Sequence, residues 1–517
     1  MAVSSLLVIF SSTLLLTILI TLGWRVLNWV WLRPKHLERQ LREQGFSGNS
    51  YRLFFGDMKD NSMMSKQASS NPINFSNDIT PRAIASVHHI VENYGKNCFV
   101  WVGPKPRLFI SEPEQIKDIF SKIGEFQKSR HPVANLLSTG VVSYEGDKWA
   151  KHRNIITPAF GNQNLKGMTK AFQQCCSDMI SQWESLIGEK GSCELDIWPY
   201  IENLSADVIS RTAFGTSYTE GKRIFQLQKE QAQLLIKAVS VYIPGWRFLP
   251  TKQNKRMKEI DREIRTLLKE IINKREREMK AGNAANNDFL GMLLESSSRE
   301  LQKSGNKKNA AMSITEVIEE CKLFYIAGQE TTADLVVWTM VLLSKYPSWQ
   351  VRAREEVLRV FGKNKPDFDG LNHLKVVKMI LLEVLRFYPP LPLIDRAVNK
   401  ETKLGNLTIP AGVVVTLPTI LVHCDYELWG DNAKEFNPER FSEGVSKATR
   451  GKLSYFPFGG GPRICIGQKF GMMEAKMALS FILQHFSFEI SSSYAHAPIT
   501  VITLGPQFGA HIVLHKL

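Results

Sequence analysis

From Met1 to Trp24 the chain carries no charged residue, and Leu6 to Leu22 is aliphatic apart from scattered Ser and Thr. About 20 such residues suffice for a helix to cross the hydrocarbon layer of a bilayer, so this stretch predicts a membrane span. A cleaved leader is the competing reading. It would carry basic residues ahead of the apolar run and a small-residue cleavage site behind it, where this chain has Trp24, Arg25, Trp29 and Trp31. Arg25, Arg33, Lys35, Arg39 and Arg42 flank the run on its downstream side only, which by the positive-inside rule leaves the rest of the chain in the cytosol. The pattern divides the chain into a transmembrane anchor (1–24), a basic and aromatic stalk (25–50) and a body (51–517), single-pass and expected in the endoplasmic reticulum membrane.

Beyond the stalk the periodicity changes several times. Cys98–Val102 and Arg107–Ile110 read as strands around a turn at Gly103-Pro104. From about 165 to 365 the spacing is mostly helical; Met257, Ile260, Ile264, Leu267, Leu268 and Ile271 share one face, opposite a run of Lys and Arg that reads as a solvated surface. Ala281–Asp288 and Ser296–Asn309 are rich in Asn, Ser, Gly and Lys and predict loops. Strand signals return at Leu407–Leu417, around Pro410-Ala-Gly412, and at Ile499–Leu514, around Gly505-Pro506. No repeat and no second apolar span is visible. The fold class is mainly α with small β-sheets: a single catalytic domain on an N-terminal transmembrane helix.

Composition narrows the chemistry. With 517 residues, 44% hydrophobic and 22% charged, the chain is neither disordered nor fibrous. The net charge of +15 suits anionic partners: nucleic acid, a membrane surface or an acidic protein face. Seven cysteines without a CxxC pair argue against a disulfide-stapled domain or a cysteine zinc site, and the eleven histidines show no ligand-like spacing.

One cysteine stands apart. Phe458-Gly-Gly-Gly-Pro-Arg-Ile-Cys-Ile-Gly467 is a tight loop of glycines and proline, and an apolar helix begins just past Cys465. Helix dipole and free N–H groups favour thiolate there, and thiolate is the electron-rich axial ligand with which haem iron cleaves O–O bonds. A phosphate-binding loop would need Gly-Lys-Ser/Thr and a dinucleotide loop a strand with GxGxxG; neither is present. A structural cysteine would not explain Gly461, Arg463 and Gly467 around it. FxxGxRxCxG, filled by Phe458, Gly461, Arg463, Cys465 and Gly467, resembles the haem-ligand signature of the cytochrome P-450 superfamily.

Other motifs fit the same resemblance. Ala327-Gly-Gln-Glu-Thr-Thr332 lies in an apolar helix from about Ile314 to Leu343, where Gly328 and the threonines predict a locally opened groove. The family places its oxygen-binding stretch here, with Ala327 and Gly328 against the cofactor, Thr331 bonding the activated oxygen and Glu330 helping to deliver protons. Glu383 and Arg386, spaced ExxR in a helix that ends at Pro389-Pro390, resemble the family's structural pair, with Arg440 of Pro438-Glu-Arg-Phe441 completing a triad. Glu356 and Arg359 repeat that spacing without a proline end and predict a surface pair. Trp149 and Arg153 match a WxxxR anchor for haem propionates; Arg463 and Arg396 resemble the other propionate contacts. The one departure, Gly471 where Ala is usual, reads as neutral.

The resemblance implies haem b with a thiolate ligand from Cys465, O2, and electrons from NADPH through a membrane-bound NADPH–cytochrome P-450 reductase, because the chain has no flavin or nicotinamide fingerprint of its own. Partners are then the reductase, membrane lipid and a hydrophobic small molecule, with no role for nucleic acid. Apolar substrate contacts are expected from the segment between Ser129 and Val142, from Leu323 and Phe324, from Leu391, Leu393 and Ile394, and from Leu504 to Phe508. Trp31-Leu-Arg-Pro-Lys35, Gln44-Gly-Phe46 through Tyr51-Arg52, Tyr242-Ile-Pro-Gly-Trp246 and Pro506-Gln-Phe-Gly509 are similar to the plant clan 72 group that includes secologanin synthase. That similarity implies an isoprenoid substrate, a triterpenoid or related terpenoid first, a secoiridoid or terpenoid hormone second. A thiolate-haem isomerase or lyase acting without external O2, and a non-catalytic haem sensor, are the rival classes; Glu330 and Thr331 argue against both.

Overall fold

The computed structural model describes residues 2–517 except 76–77, 130–133, 240–245, 283–287 and 304–311. The apolar run forms the helix Ala2–Leu27, continues through one π turn, Asn28–Leu32, and passes into the helix Arg33–Glu43. Ile9–Glu43 is long and apolar enough to cross a membrane, and none of its apolar window is buried by protein. Phe10, Leu15 and Trp24 are more than half exposed, surface that lipid would cover. The second half of the expected stalk lies on the body: Leu37 and Leu41 join the core beneath the largest sheet, and Arg33 Nη2 donates to the Ala411 carbonyl at 3.2 Å.

That sheet has six strands in the order Ser47–Gly48, Cys98–Val102, Lys105–Phe109, Val414–Leu417, Ile394–Val398 and Phe126–Lys128. Leu407–Ile409 pairs with Thr402–Leu404, so the two strands read around Pro410-Ala-Gly412 belong to different sheets. Near the C-terminus the strands are Pro498–Thr500, Leu504–Pro506 and His511–Lys516. Gly505-Pro506 is not the turn: both residues are inside a strand, Gly505 opposite Ile499 and Pro506 opposite Pro498. A Cβ at Gly505 would lie 3.2 Å from Asp334 Oδ1, a close approach to the helix behind it.

The body is helical, as its periodicity predicts, and the helix Lys252–Lys280 buries Met257, Ile260, Ile264 and Leu268. The expected loop at Ser296–Asn309 is corrected in part. Residues up to Lys303 extend the helix Phe289–Lys303, because Leu290, Leu293 and Leu294 bury one face and carry the polar positions with them; 304–309 lie outside the described residues.

The long central helix, Ile314–Lys345, starts at a capping box in which Ser313 and Glu316 satisfy each other's backbone N–H groups. It crosses the helix Trp198–Phe214 so tightly that a Cβ on Gly328 would lie 2.7 Å from Ile209 Cγ1. The expected open groove is absent from the backbone, which stays helical throughout Ala327–Thr332. Gly328 is there because the crossing has no room for a side chain, and its carbonyl takes a side bond from the Ser205 hydroxyl at 3.3 Å.

The second ExxR is also corrected. Glu356 is not in a surface pair with Arg359; it is 3% exposed and caps the helix Lys375–Phe387, accepting from the backbone N–H of Lys375, Val376 and Val377 at 2.8, 2.9 and 3.0 Å. The helix it caps is the one that carries the first ExxR.

Candidate functional site

Glu383 and Arg386 are fully buried and joined by two parallel bonds of 2.8 Å. The remaining guanidinium donors reach the carbonyls of His423, Ala433 and Glu435 at 2.7, 2.6 and 3.1 Å. Glu383 also accepts from the Asn437 N–H at 2.9 Å and has Arg440 Nε at 3.6 Å. A buried ion pair is tolerated only when fully bonded, and this one ties one helix to the irregular chain leading to the cysteine loop.

The loop itself ends at the helix Gln468–His485. Gly461 has φ +63°, and a Cβ there would lie 2.3 Å from the Phe120 carbonyl oxygen, so only glycine fits. Cys465 lines a cavity of about 300 Å3. Burial pushes this thiol above its ordinary range, while the N–H groups of Gly467 and Gln468 and the charges of Arg153 and Lys128 pull it down. The N–H groups and positive charges that favour a thiolate are thus in place around Cys465, and an iron on the sulfur would add to them against burial.

Trp149, Arg153, Phe324, Ala327, Gly328, Thr331, Leu391, Ile394, Arg396, Phe458, Arg463 and Gly467 line the same cavity, as does Val141 of the segment before Trp149. Four cations gather on one rim, and sequence reasoning named only three. The fourth, Lys128, sits opposite Arg396 in the strand register and is pushed down to about 7 by burial and by the charges of Arg396 and Arg463. Arg396 is itself pushed down to about 10, by burial and by Arg463. The other residue missed is Glu145, which pairs with Arg463 and accepts from the Lys128 N–H at 2.6 Å. Arg463 stacks over Trp149, its guanidinium 4.6 Å from the ring centre. No pattern in the sequence marks Lys128, since only strand pairing brings it beside Arg396.

Gly461, Leu393, Leu504 and Glu330 do not line the cavity, and neither do residues 505–508 of the expected hairpin contact. Gly461 shapes the loop from outside. Leu393 packs against the core at the edge. Leu504 is fully buried and acts through its backbone: its carbonyl accepts from Trp338 Nε1 at 2.7 Å and its N–H donates to the Pro390 carbonyl at 3.1 Å. Glu330 turns aside to the Thr503 hydroxyl, 3.3 Å away, and burial, helped by the charge of Glu202, raises its carboxyl to about 7. The Thr331 hydroxyl, on the cavity wall, donates to the Ala327 carbonyl at 2.8 Å. Of the expected substrate segment between Ser129 and Val142, residues 130–133 lie outside the described residues, as do residues 242–245 of the stretch similar to the clan 72 group.

The profile of the cytochrome P450 family matches residues 79–504. The chain belongs to the cytochrome P450 family. It is 59% identical over 512 residues to Cytochrome P450 CYP72A219 of Panax ginseng, covering 98% of this chain and 99% of that one. It is 52% identical over 499 residues to Secologanin synthase 1 of Catharanthus roseus, covering 96% and 95%. A solved structure, retinoic acid bound cyanobacterial CYP120A1, shares the fold with a TM-score of 0.73 at 21% identity, covering 90% of this chain and 97% of that one. The P450 is a monooxygenase whose haem takes a cysteine thiolate ligand, and this site fits the group. A thiol lies on the cavity wall, and the rim cations Lys128, Arg153, Arg396 and Arg463, offset in part by Glu145 and Asp395, have the charge to hold two propionates.

Proposed function

We propose that this P450 oxidises a large apolar isoprenoid, a triterpenoid or related terpenoid, at an unactivated carbon. Electrons come from NADPH through a membrane-bound NADPH–cytochrome P450 reductase, and the enzyme is anchored in the endoplasmic reticulum membrane by its N-terminal helix, body on the cytosolic side. The observation that carries the substrate class is the composition of the cavity away from the cationic rim. Val141, Ile209, Leu323, Phe324, Leu335 and Leu391 offer apolar surface and no charge. The 59% and 52% identities to plant P450s over nearly full length support it, and the relatives named secologanin synthase make an iridoid the second class to test.

Bound haem would supply the activation of O2, one oxygen atom going to the substrate and the other, with two protons and two electrons, to water. The protein's share is positional and electrostatic. Cys465 supplies the sulfur, held by a loop whose backbone N–H groups point at it. Lys128, Arg153, Arg396 and Arg463 would hold the propionates, with Trp149 buttressing Arg463. The apolar wall excludes water and orients the substrate by shape. The Thr331 hydroxyl, on the cavity wall and bonded to the Ala327 carbonyl, would pass protons toward the cavity, and Glu330, the preceding residue, which faces Thr503, would be their source. The test uses microsomes carrying the full chain and a plant reductase, supplied with NADPH and a panel of triterpenoids, iridoids and diterpenoids. Mass spectrometry should find an oxygenated triterpenoid only when NADPH and reductase are both present; product formation without NADPH would overturn the monooxygenase assignment.

A further inference from the structure

One face of the central helix, at positions 330, 334 and 338, runs along the terminal hairpin. Glu330 bonds the Thr503 hydroxyl, Asp334 faces the same hydroxyl and the backbone of Gly505, and Trp338 bonds the Leu504 carbonyl. Asp334 is 1% exposed, and its Oδ2 has no hydrogen-bond partner among the described residues. The charges acting on it are Glu330, one turn away on its own helix, and Glu202 of the neighbouring helix; both are negative. The nearest cation in this group, Lys229, is committed to Glu202 at 2.8 and 3.1 Å. The hairpin contributes no charge here, and the Trp198 ring closes the side beside Gly505.

Two carboxyl groups one helical turn apart, Asp334 buried with only negative charges acting on it and Glu330 facing no cation but Lys229, which is already paired with Glu202, do not both ionise near neutral pH. We propose that Glu330 and Asp334 form one acidic unit that keeps a proton between them, bridged by the Thr503 hydroxyl, with Asp334 as the positioning residue that keeps Glu330 supplied. In the transfer the Asp334 O–H bond breaks, the Thr503 hydroxyl accepts that proton and gives up its own, and a new O–H bond forms on Glu330; no electron moves. This deepens the proton-delivery reading of Glu330 and rests on it for its purpose, though not for its chemistry. Burial raises both carboxyls, Glu330 to about 7, as such a unit requires.

The test reads the resting, full-length holoenzyme in lipid nanodiscs, by infrared titration of the protonated-carboxyl C=O band between about pH 5 and 9. Wild type should lose a buried-acid band with a midpoint above about pH 6. Asp334→Asn should move that midpoint down by about one pH unit or more, because the remaining acid no longer faces a second charge. Glu330→Gln should lower the titration of Asp334 likewise, and the double variant should lose that component of the band and keep only the contribution of other buried acids such as Glu474. Thr503→Val should move the wild-type midpoint up. If Asp334→Asn fails to retain haem, Glu330→Gln and Thr503→Val decide the matter alone. A midpoint unchanged in the single variants, or a double variant whose band equals that of wild type, overturns the proposal. No turnover is needed, so a Glu330→Gln enzyme that still couples NADPH to product would remove the role of Glu330 in oxygen reduction and leave the acidic unit standing.

Discussion

Replacing Glu356 by Ala removes an acceptor from the start of the helix Lys375–Phe387 and leaves three backbone donors to find partners. Lys375 is exposed and its N–H recovers a bond to water, whereas Val377 is buried and Val376 half-buried. Each stranded donor costs about 1–3 kcal/mol, and losing a negative charge from a helix N-terminus costs up to about 2 kcal/mol more in a partly buried setting. The total expected is about 3–5 kcal/mol, against about 1–2 kcal/mol for Glu356→Gln, which keeps one carbonyl oxygen. Unfolding entropy of about 2.1 cal/mol/K per residue makes roughly 1 kcal/mol equivalent to 1 °C in a chain this long. Glu356→Ala should therefore lower the midpoint for thermal loss of the reduced carbon-monoxide difference band by about 3–5 °C, the scan rate held constant. Because the capped helix carries Glu383 and Arg386, haem retention should fall in the same transition. A midpoint within about 1 °C of wild type would refute the cap and return Glu356 to the surface role that its spacing suggested.

Cys465→Ala should eliminate the red-shifted Soret band of the reduced carbon-monoxide complex and all NADPH-dependent product. Thr331→Ala should keep that band yet divert NADPH electrons to hydrogen peroxide; unchanged coupling would count against its part in proton transfer. Arg386→Lys cannot make the bidentate pair and strands backbone carbonyls, so a loss of about 3–5 kcal/mol and failure to accumulate holoenzyme are expected, read as haem per mole of purified protein. His423 accepts from the Phe456 N–H at 3.0 Å, and burial with the nearby Arg386 charge pushes its ring down to about 3; burial does the same to His496. The unfolded chain takes up these protons near 6.5, so the stabilisation is complete above that pH and is lost as pH falls toward 3. Urea midpoints between about pH 6.5 and 4.5 should fall steeply in wild type and less steeply in His423→Gln, by up to about 1.4 kcal/mol per pH unit.

What the sequence determined by itself was local and chemical. The charge-free run fixes a span because a bilayer has no partners for polar groups. The loop around Cys465 is legible because its run of glycines marks backbone that no side chain fits, as the Phe120 carbonyl against Gly461 shows, and the first ExxR is legible because a buried Glu383–Arg386 pair needs one helical turn between its members. Tertiary structure decided everything that depends on separations of hundreds of residues. Lys128 becomes a cavity cation through strand register against Arg396, and Leu504 turns from a substrate contact into a backbone latch because Trp338 and Pro390 meet it there. Glu356 reads as half of a surface ion pair until the start of the following helix is placed over it. Asp334 looks like one more polar residue in an apolar helix until Thr503 and Gly505 are packed against it. Each of these outcomes is set by which atoms displace water around a group, and one-dimensional spacing carries no information about that.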